Sequence, residues 1–191
     1  MPRPVRTGKK RKPRDAAQTK ARIIEAAQAA FSEKGYALSG LRDIARQAEV
    51  ATSLVIKHFE TKANLFEVAL KQALQVSETV STDRARFGEV LARSVLDPDT
   101  NVSATAMIAL SLGDAEARAI AVRLAQDEII APVSAWLGPP DARARAASIL
   151  MLSAGFVLFS RYVHVELSGR AQDAAAKWVA RQLQDLVDGG S

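Results

Sequence analysis

Residues 41–59 read LRDIARQAEVATSLVIKHF, and the spacing within this stretch decides the fold. Leu41, Ile44, Ala45 and Ala48 recur at i, i+3, i+4 and i+7, which puts them on one face of a two-turn helix, and Ser39 is placed to cap it. Glu49, Val50 and Ala51 form a tight connection. A second short helix then runs from Thr52 to Phe59 and turns Leu54, Val55 and Phe59 inward. Two helices this short cannot be stable alone, because nucleation is costly and each contributes few hydrogen bonds. They need a platform on either side.

The sequence supplies one. On the N-terminal side, Asp15 and Gln18 make a capping box that predicts a helix start. Ile23, Ala27, Ala30 and Phe31 give that helix its apolar stripe, and Gly35 stands where a left-handed C-terminal cap belongs. On the C-terminal side, Thr61 is placed to cap a longer helix through Leu65, Phe66, Ala69, Leu70 and Leu74. Helices are expected further along at roughly 83–96, 102–112, 115–136, 142–166 and 171–187, separated by Asp97-Pro98-Asp99, Gly113-Asp114, Gly138-Pro139-Pro140-Asp141 and Ser168-Gly169. Pro132 should kink its helix or end and restart it. Alternating β patterns and hairpin dipeptides are missing, so the fold is expected to be all-α.

Charge is distributed unevenly. Of a net charge of +5, residues 1–14 carry seven basic side chains (Arg3, Arg6, Lys9, Lys10, Arg11, Lys12 and Arg14) and no acid, which leaves residues 15–66 at +1 and residues 67–191 at −3. With three prolines and this charge run, residues 1–14 are expected to be a flexible basic arm. One end of the molecule should therefore face a polyanion. An import signal is the competing explanation for Lys9 to Arg14.

Several function classes are disfavoured. The chain has no Cys, so it offers neither thiolate metal ligands nor a cysteine nucleophile, in keeping with a reducing cytoplasm. His58 and His164 are far apart and lack neighbouring ligand residues, so no metal site and no cofactor is expected. Neither a paired-carboxylate motif nor a Gly-rich phosphate loop supports an enzyme. The apolar run Ala146–Ser160 is read as a buried core helix, since fifteen residues at ~1.5 Å each fall short of a ~30 Å hydrocarbon layer. No export signal is expected at the N-terminus, because no apolar run follows the basic residues.

A short helix braced across a partner leaves its outer face and N-terminus free to enter a major groove ~12 Å wide. In the Thr52–Phe59 segment, Thr52, Ser53, Lys57 and His58 remain available to bases and phosphates. From Thr19 to Leu70 the chain resembles the DNA-binding domain of the TetR family. The resemblance rests on Ile24, Ala26, Ala27, Phe31, Gly35-Tyr36, Arg42-Asp43-Ile44-Ala45, Ala48, Val50, Lys57-His58-Phe59, Thr61-Lys62 and Leu65-Phe66.

This resemblance implies an N-terminal three-helix helix-turn-helix domain (15–66) and a helical ligand-binding and dimerisation domain (67–191). It implies that Arg42 touches bases or phosphate, that Thr52, Ser53 and Leu54 occupy reading positions, and that His58 and Lys62 hold phosphates. Departures from the pattern are Glu49 for a usual Gly, Ala51 for Ser, Ser53 for Gly, Ile56 for Tyr, and Gly40 for a hydroxyl side chain. Ala51 cannot cap the second short helix, which leaves Thr52 as the candidate cap. The basic arm is expected to add minor-groove contacts with steep salt dependence.

In the C-terminal part, Met107, Trp136, Met151, Ser153, Phe156, Phe159 and the polar run Ser160, Arg161, Tyr162, His164 and Glu166 are candidates for lining an effector cavity, against the alternative that they simply fill the bundle. A single short reading helix contacts too few bases for specificity, so a two-fold homodimer is expected, formed through the last two helices as the resemblance implies. The expected function is that of a cytoplasmic, sequence-specific repressor that binds a palindromic double-stranded DNA operator and is released by a small-molecule effector. The competing expectation is a ligand-independent or architectural DNA-binding factor.

Overall fold

The computed structural model describes residues 13–74, 83–163 and 165–189. Among these residues the structure is helical throughout, with no strand. We label the helices α1 (Pro13–Leu38), α2 (Leu41–Gln47), α3 (Thr52–Phe59), α4 (Lys62–Ala73), α5 (Phe87–Leu96), α6 (Ser103–Ser111), α7 (Ala115–Leu124), α8 (Ala131–Leu137), α9 (Ala142–Val157) and α10 (Gly169–Asp188). A 3-10 turn at Arg84–Arg86 precedes α5, and π-helical turns at Ala125–Ile130 and Leu158–Tyr162 follow α7 and α9.

Two apolar cores organise the chain. The first collects Ile23, Ala27 and Phe31 of α1, Ile44 and Ala45 of α2, Val55 and Phe59 of α3, and Leu65, Phe66 and Leu70 of α4. It continues into Met107 of α6 and Ala117, Ala121 and Leu124 of α7, so the first four helices share their interior with helices from the second half of the chain. At its centre Phe66 meets Phe31 and Tyr36 edge to face, with centroids 5.1 and 5.3 Å apart. Such aromatic pairs add ~0.5–1.5 kcal/mol beyond the area they bury.

The second core packs Phe87 of α5 against Val133 and Leu137 of α8, Ile149 of α9 and Leu183 and Val187 of α10. Here α5 and α10 approach so closely that a Cβ at Gly88 would lie 2.0 Å from the Ala180 carbonyl oxygen. Two arginines tie together helix C-termini, whose carbonyls have no intrahelical donors. Arg84 donates to the carbonyls of Trp136, Leu137 and Val187. Arg145, buried, donates to those of Gly138, Pro140, Leu186 and Val187.

Several sequence expectations need correction. Helix α1 begins at Pro13, two residues before the expected cap at Asp15, and it continues one turn beyond a break at Gly35, whose φ of 75° and ψ of 171° are non-helical. Ser39 does not cap α2; its buried hydroxyl donates back to the carbonyls of Ala30 and Gly35, and Gly40 takes the cap position with no side-chain bond. Thr52 does not cap α3, because it is already the first helical residue and Ala51 stands at the cap. Thr61 caps α4 as expected, its Oγ1 accepting from the Asn64 N–H at 3.0 Å.

The expected 115–136 helix runs without a break from Ala115 to Leu137, with the π turn at Ala125–Ile130 lying just before Pro132. The apolar run Ala146–Ser160 is only partly buried: Ala146, Ile149 and Val157 face inward, whereas Met151 is 67% exposed and Phe159 57% exposed. The continuous helix that contains this run, Ala142–Tyr162, is long and apolar enough by composition to cross a membrane. In this fold it packs against α8 and α10.

Candidate nucleic-acid interface

The site is built from α2, α3 and the N-terminus of α4. Val55 and Phe59 anchor α3 in the first core, with Leu54 half-buried beside them. This leaves Ser53, Ile56, Lys57 and Glu60 on the outer face at i, i+3, i+4 and i+7, and all four are exposed. Thr52 and His58 are half-buried at its two ends. Arg42, in the first turn of α2, is also exposed.

The connection from α2 to α3 is where the chain departs most from the family pattern, and the structure compensates for it. Glu49 adopts φ 53°, the left-handed region that costs a non-glycine residue roughly 1 kcal/mol. Arg22 of α1 braces this turn: its Nη2 donates to the Ala48 carbonyl, to the Glu49 carbonyl at 3.3 Å and to Glu49 Oε2 at 3.3 Å. The angle at which α3 leaves α2 is therefore fixed from α1. Sequence pattern did not reveal Arg22, because its partners lie 26 and 27 residues away. Ile56, half exposed three residues after Ser53, places an apolar surface in the middle of the outer face.

Lys62, the first residue of α4, is engaged within the protein. Its Nζ donates to the Tyr36 carbonyl at 3.0 Å and lies 4.1 Å above the Tyr36 ring. Tyr36, nearly fully buried, donates from its hydroxyl to Glu116 Oε2 of α7 at 2.6 Å. Burial, and then the hydrogen bond to the Glu116 carboxylate, push this phenol well above the ordinary tyrosine range, so it stays a neutral donor. Two further ion pairs join α4 to the second half of the chain: Glu67 with Arg123 at 2.7 Å and Lys71 with Glu128 at 2.6 Å.

The candidate effector residues are not gathered into one place. Met107 is buried in the first core and Trp136 packs against the second, while Phe156 is half-buried. Met151 and Phe159 point outward. Arg161 donates to the carbonyls of Val95, Asp97 and Pro98, and Tyr162 to that of Val102. The Ser153 hydroxyl is buried without a hydrogen-bond partner. His164 lies outside the described residues, as do Arg3, Arg6, Lys9, Lys10, Arg11 and Lys12 of the arm; Arg14 is described only as part of the α1 backbone.

Two short helices at an angle, the second outward-facing, joined to a larger helical body, define a helix-turn-helix protein of the kind that regulates transcription. The family model described as "Bacterial regulatory proteins, tetR family" matches residues 23–69, and that of the "Tetracyclin repressor-like, C-terminal domain" matches residues 85–187. The chain belongs to this family.

Among curated relatives, it is 36% identical over 101 residues to the HTH-type transcriptional repressor Rv3405c of Mycobacterium tuberculosis, an alignment covering 48% of this chain and 54% of the relative. The chain thus spans about half the length of the curated relatives it matches. Among solved structures, NalD, the secondary repressor of the MexAB-OprM multidrug efflux pump in Pseudomonas aeruginosa, superposes with a TM-score of 0.61 at 22% identity, covering 93% of this chain and 97% of that one. The multidrug binding protein EbrR complexed with ethidium superposes with a TM-score of 0.63 at 20% identity, over 88% and 98% of the two chains. These likenesses to solved structures extend the shared fold over both halves of the chain.

Proposed function

We propose that the protein is a homodimeric transcriptional repressor of the cytoplasm that binds a palindromic DNA operator through residues 15–66 and is released by a small-molecule effector taken up by residues 67–191. The observation that carries this reading is the outer face of α3, which is exposed among the described residues while its inner face is locked into the core. Ser53 and Thr52 read base edges at the N-terminus of α3, with Leu54 beside them. Arg42 touches base edges or phosphate, Lys57 is available to both, His58 and Lys62 hold the backbone phosphates, and the basic arm adds sequence-independent affinity.

Dimerisation is supported by the apolar surface left open on α9, its π turn and α10, where Met151, Phe159, Val163 and Trp178 are each at least half exposed. A second copy would cover this face, which runs along the same helix whose composition resembles a membrane span. The repressor name of one relative and the ethidium complex of another support release by a ligand. In this scheme α4 carries the signal, since it shares the first core and is tied by ion pairs to α7 and the π turn after it.

Titration of a panel of duplexes tests the division of labour. Lys62→Ala should weaken binding to every duplex alike and reduce the salt slope by about one per protomer, whereas substitutions at Thr52 or Ser53 should change which sequence is preferred. The opposite pattern would refute the assignment.

A further inference from the structure

We propose that Glu116 and Tyr36 are positioning residues for DNA binding: together they hold the Lys62 ammonium at the N-terminus of α4, so that the first turn of α7 sets the readiness of a phosphate contact. The inference rests on the proposed role of Lys62 and adds to it the two residues that act through it.

An ammonium on a four-carbon stem is a mobile charge, and ordering it costs side-chain entropy. Here two features of one residue order it: the Tyr36 carbonyl accepts one of its protons at 3.0 Å, and the Tyr36 ring faces it at 4.1 Å. An ammonium has three donors, so two remain for an approaching phosphate. The backbone N–H groups at the start of α4 favour the same anion.

Tyr36 in turn is held at its far end. It follows directly on Gly35, the one residue of α1 with non-helical φ and ψ. Its sides are packed by Phe31 and Phe66, and its hydroxyl donates at 2.6 Å to Glu116. The Glu116 carboxylate is the only one of these contacts contributed by the second half of the chain, 80 residues away in sequence. Glu116 is itself exposed, and Asp114, at the N-cap of α7, fixes the turn that carries it by accepting from the Ala117 N–H at 3.0 Å. A small rotation of α7 would move the carboxylate, the ring and then the ammonium in sequence.

The test is a double-mutant cycle on the full chain. The probe is a fluorescein-labelled mixed-sequence duplex of about 40 base pairs in about 50 mM salt, since phosphate contacts do not depend on sequence. Tyr36→Phe keeps the ring and the carbonyl and deletes only the hydroxyl; Glu116→Ala, at an exposed position, is a second route to the same break that leaves the core untouched. Each should weaken binding about three- to tenfold and lower the log-log salt slope, as Lys62→Ala does. Both effects should vanish in the Lys62→Ala background, and Glu116→Gln, which retains an acceptor, should recover most of the affinity. A merely structural role would lower the melting temperature and leave the salt slope unchanged.

If Lys62→Ala weakens binding while Tyr36→Phe and Glu116→Ala bind within about twofold of wild type, bind more tightly, or lose affinity equally in both backgrounds, the inference is overturned and the role of Lys62 stands. If Lys62→Ala binds like wild type, the phosphate contact and this inference fall together. If the wild-type protein binds no duplex, the DNA-binding proposal itself fails.

Discussion

Gly35→Ala should be among the most destabilising single-methyl additions in the N-terminal half of the chain. At φ 75° and ψ 171°, Gly35 lies in a region of backbone space open essentially to glycine alone, and forcing an alanine into it costs ~1–3 kcal/mol. The added Cβ would also stand 3.2 Å from both the Cβ and the carbonyl oxygen of Leu110 in α6, so the contact cannot be relieved by turning a side chain. Overpacking of this kind costs ~1–3 kcal/mol, and alanine recovers only ~0.4–1 kcal/mol by stiffening the unfolded chain. The net loss is about 2–4 kcal/mol, which for a chain of this size lowers Tm by roughly 5–15 °C. Gly113→Ala is the internal control, because its Cβ would meet nothing within 4 Å. Urea and thermal unfolding of both variants at one fixed protein concentration, which holds constant the mass-action contribution of any self-association, give the comparison. Equal stability of the two variants would show that neither the backbone strain nor the α1–α6 approach has the weight assigned to it.

Other consequences are more local. Arg22→Ala should free the α2–α3 turn, lowering stability by about 1 kcal/mol at this partly exposed site and duplex affinity by about five- to tenfold; DNA binding equal to wild type would deny Arg22 its bracing role. Tyr36 keeps its proton in the folded state at pH values where the unfolded chain has lost it. Stability should therefore be fully present below the ordinary tyrosine range and fall as pH rises above ~10. Tyr162 shifts in the same direction through burial, with Arg161 opposing, so denaturant titrations should flatten partly in Tyr36→Phe and further in the double variant with Tyr162→Phe. An alkaline limb unchanged in both would contradict this. Trp178→Glu, placed on the open apolar face of α10, should convert a dimer to a monomer in sedimentation equilibrium, and an unchanged dimer would move the interface elsewhere.

The sequence made the helices legible where the cause of structure is local. The i, i+3, i+4 stripes of α1 and α2 and the Thr61 cap depend on neighbours within a turn or two, and each stands where the pattern put it. Ser39 shows the limit of such reasoning. Its hydroxyl donates instead to the carbonyls of Ala30 and Gly35, a local pattern that the capping signature does not record.

The Ala146–Ser160 run was legible as helix and not as buried, because hydropathy records that a surface should be covered without recording which molecule covers it. The outer face of α3 followed from its inner face, since Val55 and Phe59 leave only one orientation. Arg22, which braces the turn before α3, and Tyr36 and Glu116, which meet beside the start of α4, pair across 26 to 80 positions, and no period or motif encodes a contact of that range. Residue type and nearness to an apolar run do not specify a shared cavity, and the fold distributes the effector candidates over two cores and an outer surface.

The central claim is that α3 faces outward to lie against base pairs in a two-fold molecule. Selection of bound duplexes from a random-sequence pool by the wild-type protein, followed by sequencing, tests it most directly. The expected outcome is enrichment of an inverted repeat whose half-sites are separated by about one helical turn or a multiple of it, with the preferred bases altered in a Ser53 variant. A pool that emerges with no enriched sequence, or with a motif unchanged by substitution along α3, would contradict it.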